Sequence, residues 1–116
     1  MKIDIKATQF EFTPAVKAYV EDKIGGLQKF IDRWDLEGNV EVRVEVERIT
    51  HHHHKGEVFR AEANMRLPGK VLRAEDTDVD MYISVDHMRE KLQGEILKYK
   101  DITLSREKKE GSAGVS

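Results

Sequence analysis

The chain has 116 residues, with 20 Lys+Arg against 22 Asp+Glu, no Cys, 39% hydrophobic and 36% charged side chains. That length suits one domain, able to bury roughly two-thirds of its unfolded surface and so to build its own core. The lack of cysteine excludes disulfides, thiolate catalysis and Cys-ligated zinc, and a net charge of −2 excludes coating nucleic acid by bulk positive field while leaving local patches open.

Residues 2–7 alternate, with Ile3, Ile5 and Ala7 against Lys2, Asp4 and Lys6, which predicts a half-buried strand. This start holds no continuous apolar stretch for a signal peptide or membrane span, so a soluble cytoplasmic protein is expected. Thr13-Pro14 then combines a capping hydroxyl with a residue suited to the first helical position. Val16, Val20, Ile24, Leu27 and Ile31 follow at helical spacing, and Gly25-Gly26 inside that stripe predicts a bend or fraying. From Val40 to Glu47 four valines alternate with four charges, the pattern of a strand with one wet face.

A further strand is expected from about Glu57 to Leu67, and Pro68-Gly69 turns the chain into a short strand around Val71–Glu75. Thr77-Asp78-Val79-Asp80 can cap a last helix, whose inward stripe Val85, Met88, Leu92, Ile96 and Tyr99 runs to about Lys100. The order β-α-β-β-β-α implies an α/β (α+β) fold, a two-layer sandwich with two helices packed on one face of a four-stranded, mostly antiparallel sheet. Residues 1–101 read as the domain, and 102–116 as a flexible tail or linker stub.

Catalytic patterns do not stand out. The carboxylates are interleaved with opposite charges on strand faces, no Ser-His-Asp pattern emerges, and Gly25-Gly26 lacks the Lys-Ser/Thr of a phosphate loop, so an enzyme is not expected. His51-His52-His53-His54 offers imidazoles, but consecutive residues do not all converge on one ion. A solvated hairpin loop touching a polyanion is preferred over a metal site, and no cofactor is called for. Trp34 reads as a lid on the core.

Charge points to the last third of the chain. Between His87 and Lys109 seven basic residues face four acidic ones, +3, and the remainder carries −5. On a helical wheel His87, Lys91, Gly94 and Lys98 lie opposite Val85, Leu92 and Ile96, and Lys23 and Lys29 lie on the polar side of the first helix. Packed side by side, the two helices would offer one basic surface to an anionic partner. A solvated helix face accounts for the same pattern.

Several blocks carry a resemblance. Thr13 to Ile24 with Leu27-Gln28-Lys29-Phe30, His54 to Glu62, Leu67 to Glu75, Asp80-Met81-Tyr82, Val85-Asp86, Lys91-Leu92 and Lys98-Tyr99-Lys100 together resemble the ribosome hibernation promoting factors, also called protein Y, ribosome-associated inhibitor or sigma-54 modulation proteins. The resemblance covers roughly residues 1–101. It implies a monomeric domain that binds the ribosomal RNA of the small subunit between head and body, not DNA or a membrane. There it would block the path of mRNA and the anticodon ends of tRNA in stress or stationary phase.

The residues it implicates are Lys23, Lys29, Lys91 and Lys98, with His87, Arg89 and Lys100 beside them. The chain departs from the family at Gly94 and Glu95, where Arg and Gln are usual, at Leu97, a polar or basic position, and at Ile83, commonly small. Long members add a C-terminal domain that dimerises two ribosomes; this sequence stops in a linker-like tail and is expected to be a short form or the N-terminal domain of a long form. A protein-interaction module using the wet sheet face, and a metal-binding protein using His51–His54, remain the alternatives.

Overall fold

The structure is a computed structural model describing residues 1–49, 56 and 58–113, with side chains as far as Glu107. The element order is β1 (Lys2–Thr8), α1 (Pro14–Gly25), α2 (Gln28–Ile31), a 3₁₀ turn (Leu36–Gly38), β2 (Glu41–Ile49), β3 (Val58–Leu67), β4 (Lys70–Asp78) and α3 (Met81–Ala113). The strands lie in the order β1-β2-β3-β4, with β1 parallel to β2 and the other neighbours antiparallel. This is the expected sandwich, with the helices packed against one face of the four-stranded sheet.

Register explains which side chains form the core. Ile3, Val42, Met65 and Leu72 share one cross-strand row, and Ile5, Val44, Ala63 and Ala74 the next. Alternation sends these rows toward the helices, where they meet Val16, Val20, Ile24, Leu27 and Ile31 on one side and Val85, Met88, Leu92 and Ile96 on the other. The alanines at the middle of the sheet leave room for the larger residues of α3. Trp34 packs edge-on against Tyr99 at 5.0 Å and closes one end of this core, while the Tyr99 hydroxyl donates to the Pro68 carbonyl at 2.7 Å.

Local chemistry sets the element ends. The Thr13 hydroxyl accepts from the Val16 N–H at 3.2 Å, and Pro14 stands at the helix start. Asp80 caps α3, its Oδ1 accepting from the N–H groups of Tyr82 at 2.8 Å and Ile83 at 3.3 Å. At the β3–β4 hairpin Gly69 has φ +76°, which Pro68 before it and a missing Cβ make easy. Asp35 ties the α2–β2 connection to the start of β1. It accepts from the Met1 ammonium at 2.6 Å, Gln28 Nε2 at 2.7 Å and the Val40 N–H at 2.9 Å. Burial alone would raise its pKa, but these three donors outweigh it and hold the carboxyl below the usual range.

Three expectations are corrected or sharpened. The long first helix is two, α1 ending at Gly25 and α2 beginning at Gln28, with Leu27 N–H reaching only to the Ile24 carbonyl at 3.0 Å. The last strand is not confined to Val71–Glu75 but runs over Lys70–Asp78, because β3 offers it partners as far as Phe59. The last helix does not stop near Lys100: it continues to Ala113, and the segment read as a flexible tail is helical over 102–113. His51–His54 lie outside the described residues, and among the described residues no group of His, Cys, Asp and Glu is arranged to hold a metal ion.

A candidate nucleic-acid interface on the helical layer

The two long helices meet along a polar seam. Tyr19 of α1 donates its hydroxyl to Asp86 Oδ1 of α3 at 2.5 Å, and Lys23 Nζ stands 3.5 Å from the same oxygen and 5.4 Å from the Tyr19 ring centre. The Tyr82 ring meets Tyr19 edge-on at 4.7 Å. Burial, and then the hydrogen bond to Asp86, push the Tyr19 phenol up to about 12. One turn along, Arg89 donates from Nε to the Lys23 carbonyl at 3.4 Å and from Nη1 to Gln93 Oε1 at 2.6 Å. Gly26 lies beside it, since a Cβ there would come within 3.5 Å of Arg89 Nη2. The resulting cleft, about 410 Å³, is lined by Asp22, Lys23, Gly26, Asp86, Arg89 and Glu90.

Lys100 follows Arg89 and Gln93 by helical spacing on that side of α3 and is half-buried, while Lys29 projects from α2 with Nζ 5.2 Å from the Phe30 ring centre. The other flank of α3 overlooks β4. Lys91 Nζ donates to Asp76 Oδ1 at 2.8 Å and to the Glu75 carbonyl at 3.0 Å, and His87 Nδ1 lies 3.2 Å from Asp76 Oδ2. Lys98, exposed on the same flank, stands 3.5 Å from Glu95 Oε1.

The structure therefore sorts the sequence-derived residues into two files. Lys23, Arg89 and Lys100 follow the seam, with Lys29 beyond on α2; His87, Lys91 and Lys98 follow the β4 flank. Between the files the crest of α3 carries Ile83, Glu90, Gly94, Leu97 and Asp101, all exposed and none basic. The cations are interleaved with carboxylates and do not merge into one uninterrupted ridge. Sequence reasoning missed Tyr19, Asp76, Asp86 and Gln93 as their partners. Gln93, four residues after Arg89, and Tyr19, four residues before Lys23, carry a local signal; Asp76 and Asp86 do not, since they reach the helices' basic residues from other elements.

The opposite face of the sheet is charged but compensated. Alternation places Lys2, Lys6, Arg43, Arg60, Arg66 and Arg73 there together with Asp4, Glu41, Glu45, Glu47, Glu62 and Glu75. Arg60 binds Glu62 and reaches Glu75 at 2.7 Å, and Arg73 reaches the other oxygen of Glu62 at 3.1 Å. The Asn64 amide, then Arg73 and Arg60, overcome the effect of burial and hold the Glu62 carboxyl below its ordinary pKa. Among the described residues six positive and six negative side chains cancel on this face.

Fold and surface together define a small α/β binding module with its candidate contact cations on the helices and a neutral sheet behind them. The chain belongs to the family described as Sigma 54 modulation protein / S30EA ribosomal protein, which it matches over residues 3–103. It is 41% identical over 103 residues to the ribosome hibernation promotion factor of Lactococcus lactis subsp. cremoris, covering 86% of this chain and 50% of that one. Identity to the ribosome hibernation promoting factor of Klebsiella oxytoca is 30% over 101 residues, 87% of this chain and 95% of the relative. The chain thus spans half the length of the first relative and nearly all of the second. The crystal structure of the Thermus thermophilus Protein Y N-terminal domain superposes with a TM-score of 0.67 at 26% identity, over 85% of this chain and 99% of that one.

Proposed function

We propose that this chain is a ribosome hibernation factor of the cytoplasm, one that binds the RNA of the small ribosomal subunit and silences translation by occupying the space that mRNA and the anticodon ends of tRNA would fill. The observation that carries the reading is the placement of the seven sequence-derived residues, six cations and His87, on α1, α2 and α3, all in the helical layer and none on the compensated sheet face. Membership of the S30EA family and likeness to proteins named ribosome hibernation factors point the same way. Lys23, Lys29, Lys91 and Lys98 meet phosphates, with His87, Arg89 and Lys100 beside them.

The mechanism is steric. No covalent step is needed, only a shape that holds. A four-stranded sheet backed by packed helices supplies it, because a close-packed interior transmits load instead of yielding. Electrostatics supply the grip: each phosphate met by a lysine releases counterions, so binding weakens as salt rises, with a slope of about 0.7 per single-strand phosphate or 0.9 per duplex phosphate on logarithmic axes.

Co-sedimentation with small subunits tests this at low and moderate salt, with and without mRNA and tRNA. The expected result is binding at low salt, loss with rising salt, and competition by both RNAs. Reversing two exposed lysines, Lys29→Glu with Lys98→Glu, is expected to weaken binding by about tenfold or more while the domain stays folded. Absence of co-sedimentation at low salt would refute the reading.

A further inference from the structure

Strand alternation puts Asp76 on the helix-facing side of β4, in the row Ala7–Val46–Ala61–Asp76, where the other three positions are apolar. A carboxylate pointing inward at a sheet edge requires counter-charge, and α3 provides it through Lys91 Nζ at 2.8 Å, with His87 Nδ1 a polar neighbour at 3.2 Å. The Asp76 side chain is 16% exposed, whereas those of Lys91 and His87 are 56% and 51% exposed. The carboxylate is set back and the basic groups stand between it and solvent. Lys91 also donates to the Glu75 carbonyl, so two of its three Nζ–H donors are directed inward.

We propose that Asp76 is an internal competitor of RNA phosphate on the β4 flank of α3, an affinity-setting residue that holds back Lys91 and His87. The inference rests on the ribosome-binding reading above and assigns that site a brake on its own grip. A bare ammonium beside RNA displaces close to one condensed counterion; an ammonium already neutralised by a carboxylate displaces fewer, and contributes less affinity and a shallower salt dependence. Lys23 is held more loosely, 3.5 Å from an Asp86 that also serves Tyr19, so the stronger brake lies at Asp76.

The test compares the protein with Asp76→Asn, which keeps the shape of the side chain and removes its charge, in binding to small subunits across a salt series. Asp76→Ser serves as a second variant, and thermal melts establish that each is folded. The variants are expected to bind about two- to fivefold more tightly at low salt, the size of an exposed ion pair. Their logarithmic salt slope is expected to steepen by about 0.7. In a Lys91→Gln, His87→Gln background the same Asp76 substitution is expected to change little. Unchanged or weaker binding, or an equal gain in both backgrounds, would overturn the inference. Wild-type protein that fails to bind at low salt would instead strike the ribosome-binding reading itself, whereas wild-type binding with indistinguishable Asp76 variants strikes only the brake.

Discussion

Asp86 meets two partners of different kinds on one oxygen, accepting a hydrogen bond from the hydroxyl of Tyr19 at 2.5 Å and pairing by charge with the ammonium of Lys23 at 3.5 Å. The phenol raised from 10.0 to about 12 makes this arrangement measurable. A group whose folded pKa lies above its unfolded value stabilises the fold fully below the unfolded value and loses that contribution as pH rises through the folded one. Stability is therefore expected to fall between pH 10 and 12, with a tyrosinate absorbance step near pH 12 that Tyr19→Phe removes. Chemical denaturation at neutral pH is expected to show Tyr19→Phe less stable by about 1 kcal/mol, the worth of one hydrogen bond. If Tyr19→Phe keeps both the step and the stability, the Tyr19–Asp86 bond contributes nothing. The cations of this seam were legible in the sequence by type and wheel position; Asp86, the carboxylate that meets Lys23 and Tyr19, was not, because a contact between distant segments of the chain leaves no periodic mark.

Elements were legible where burial wrote a pattern and misjudged where it did not. The stripe of α3 ends at Tyr99 because the sheet ends beneath it, yet the helix runs on for 14 more residues to Ala113. Neither glycine nor proline interrupts the segment before Gly111, and Arg106 to Glu110 are all good helix formers. An apolar stripe measures the buried length of a helix, not its whole length. The glycines behave in the same local way: α1 ends where Gly25-Gly26 predicts weakness, whereas Gly94 is carried inside α3 without a break. A Cβ at Gly94 would meet nothing within 4 Å, and the residue is exposed. Gly94→Ala is accordingly expected to stabilise the protein by about 1 kcal/mol. That corresponds to a melting temperature higher by roughly 4 °C for a chain of this size, read by thermal unfolding. A lower melting temperature would mean that the open space beside Gly94 is occupied in solution.

At the scale of the whole molecule the two layers divide structure from contact. α3 runs about 50 Å, and with it the molecule extends 65 × 30 × 17 Å, a long thin body with the candidate cations on its helical side. The net charge of −2 means that global attraction to RNA is absent, so binding must depend on which face is presented. Two substitutions of equal formal charge separate these cases. Arg66→Gln removes one exposed cation from the sheet face, where Arg66 lies directly opposite Glu41, and Lys29→Gln removes one exposed cation from α2. Both change the net charge by one. If the helical layer makes the contact, small-subunit binding is expected to fall severalfold at moderate salt in Lys29→Gln and to stay within about twofold of wild type in Arg66→Gln, because only a cation at the interface releases counterions. Equal losses in the two variants would mean that affinity follows overall charge and not the face presented, and the assignment of the contact to the helices would fail while the fold and the family stood unaffected.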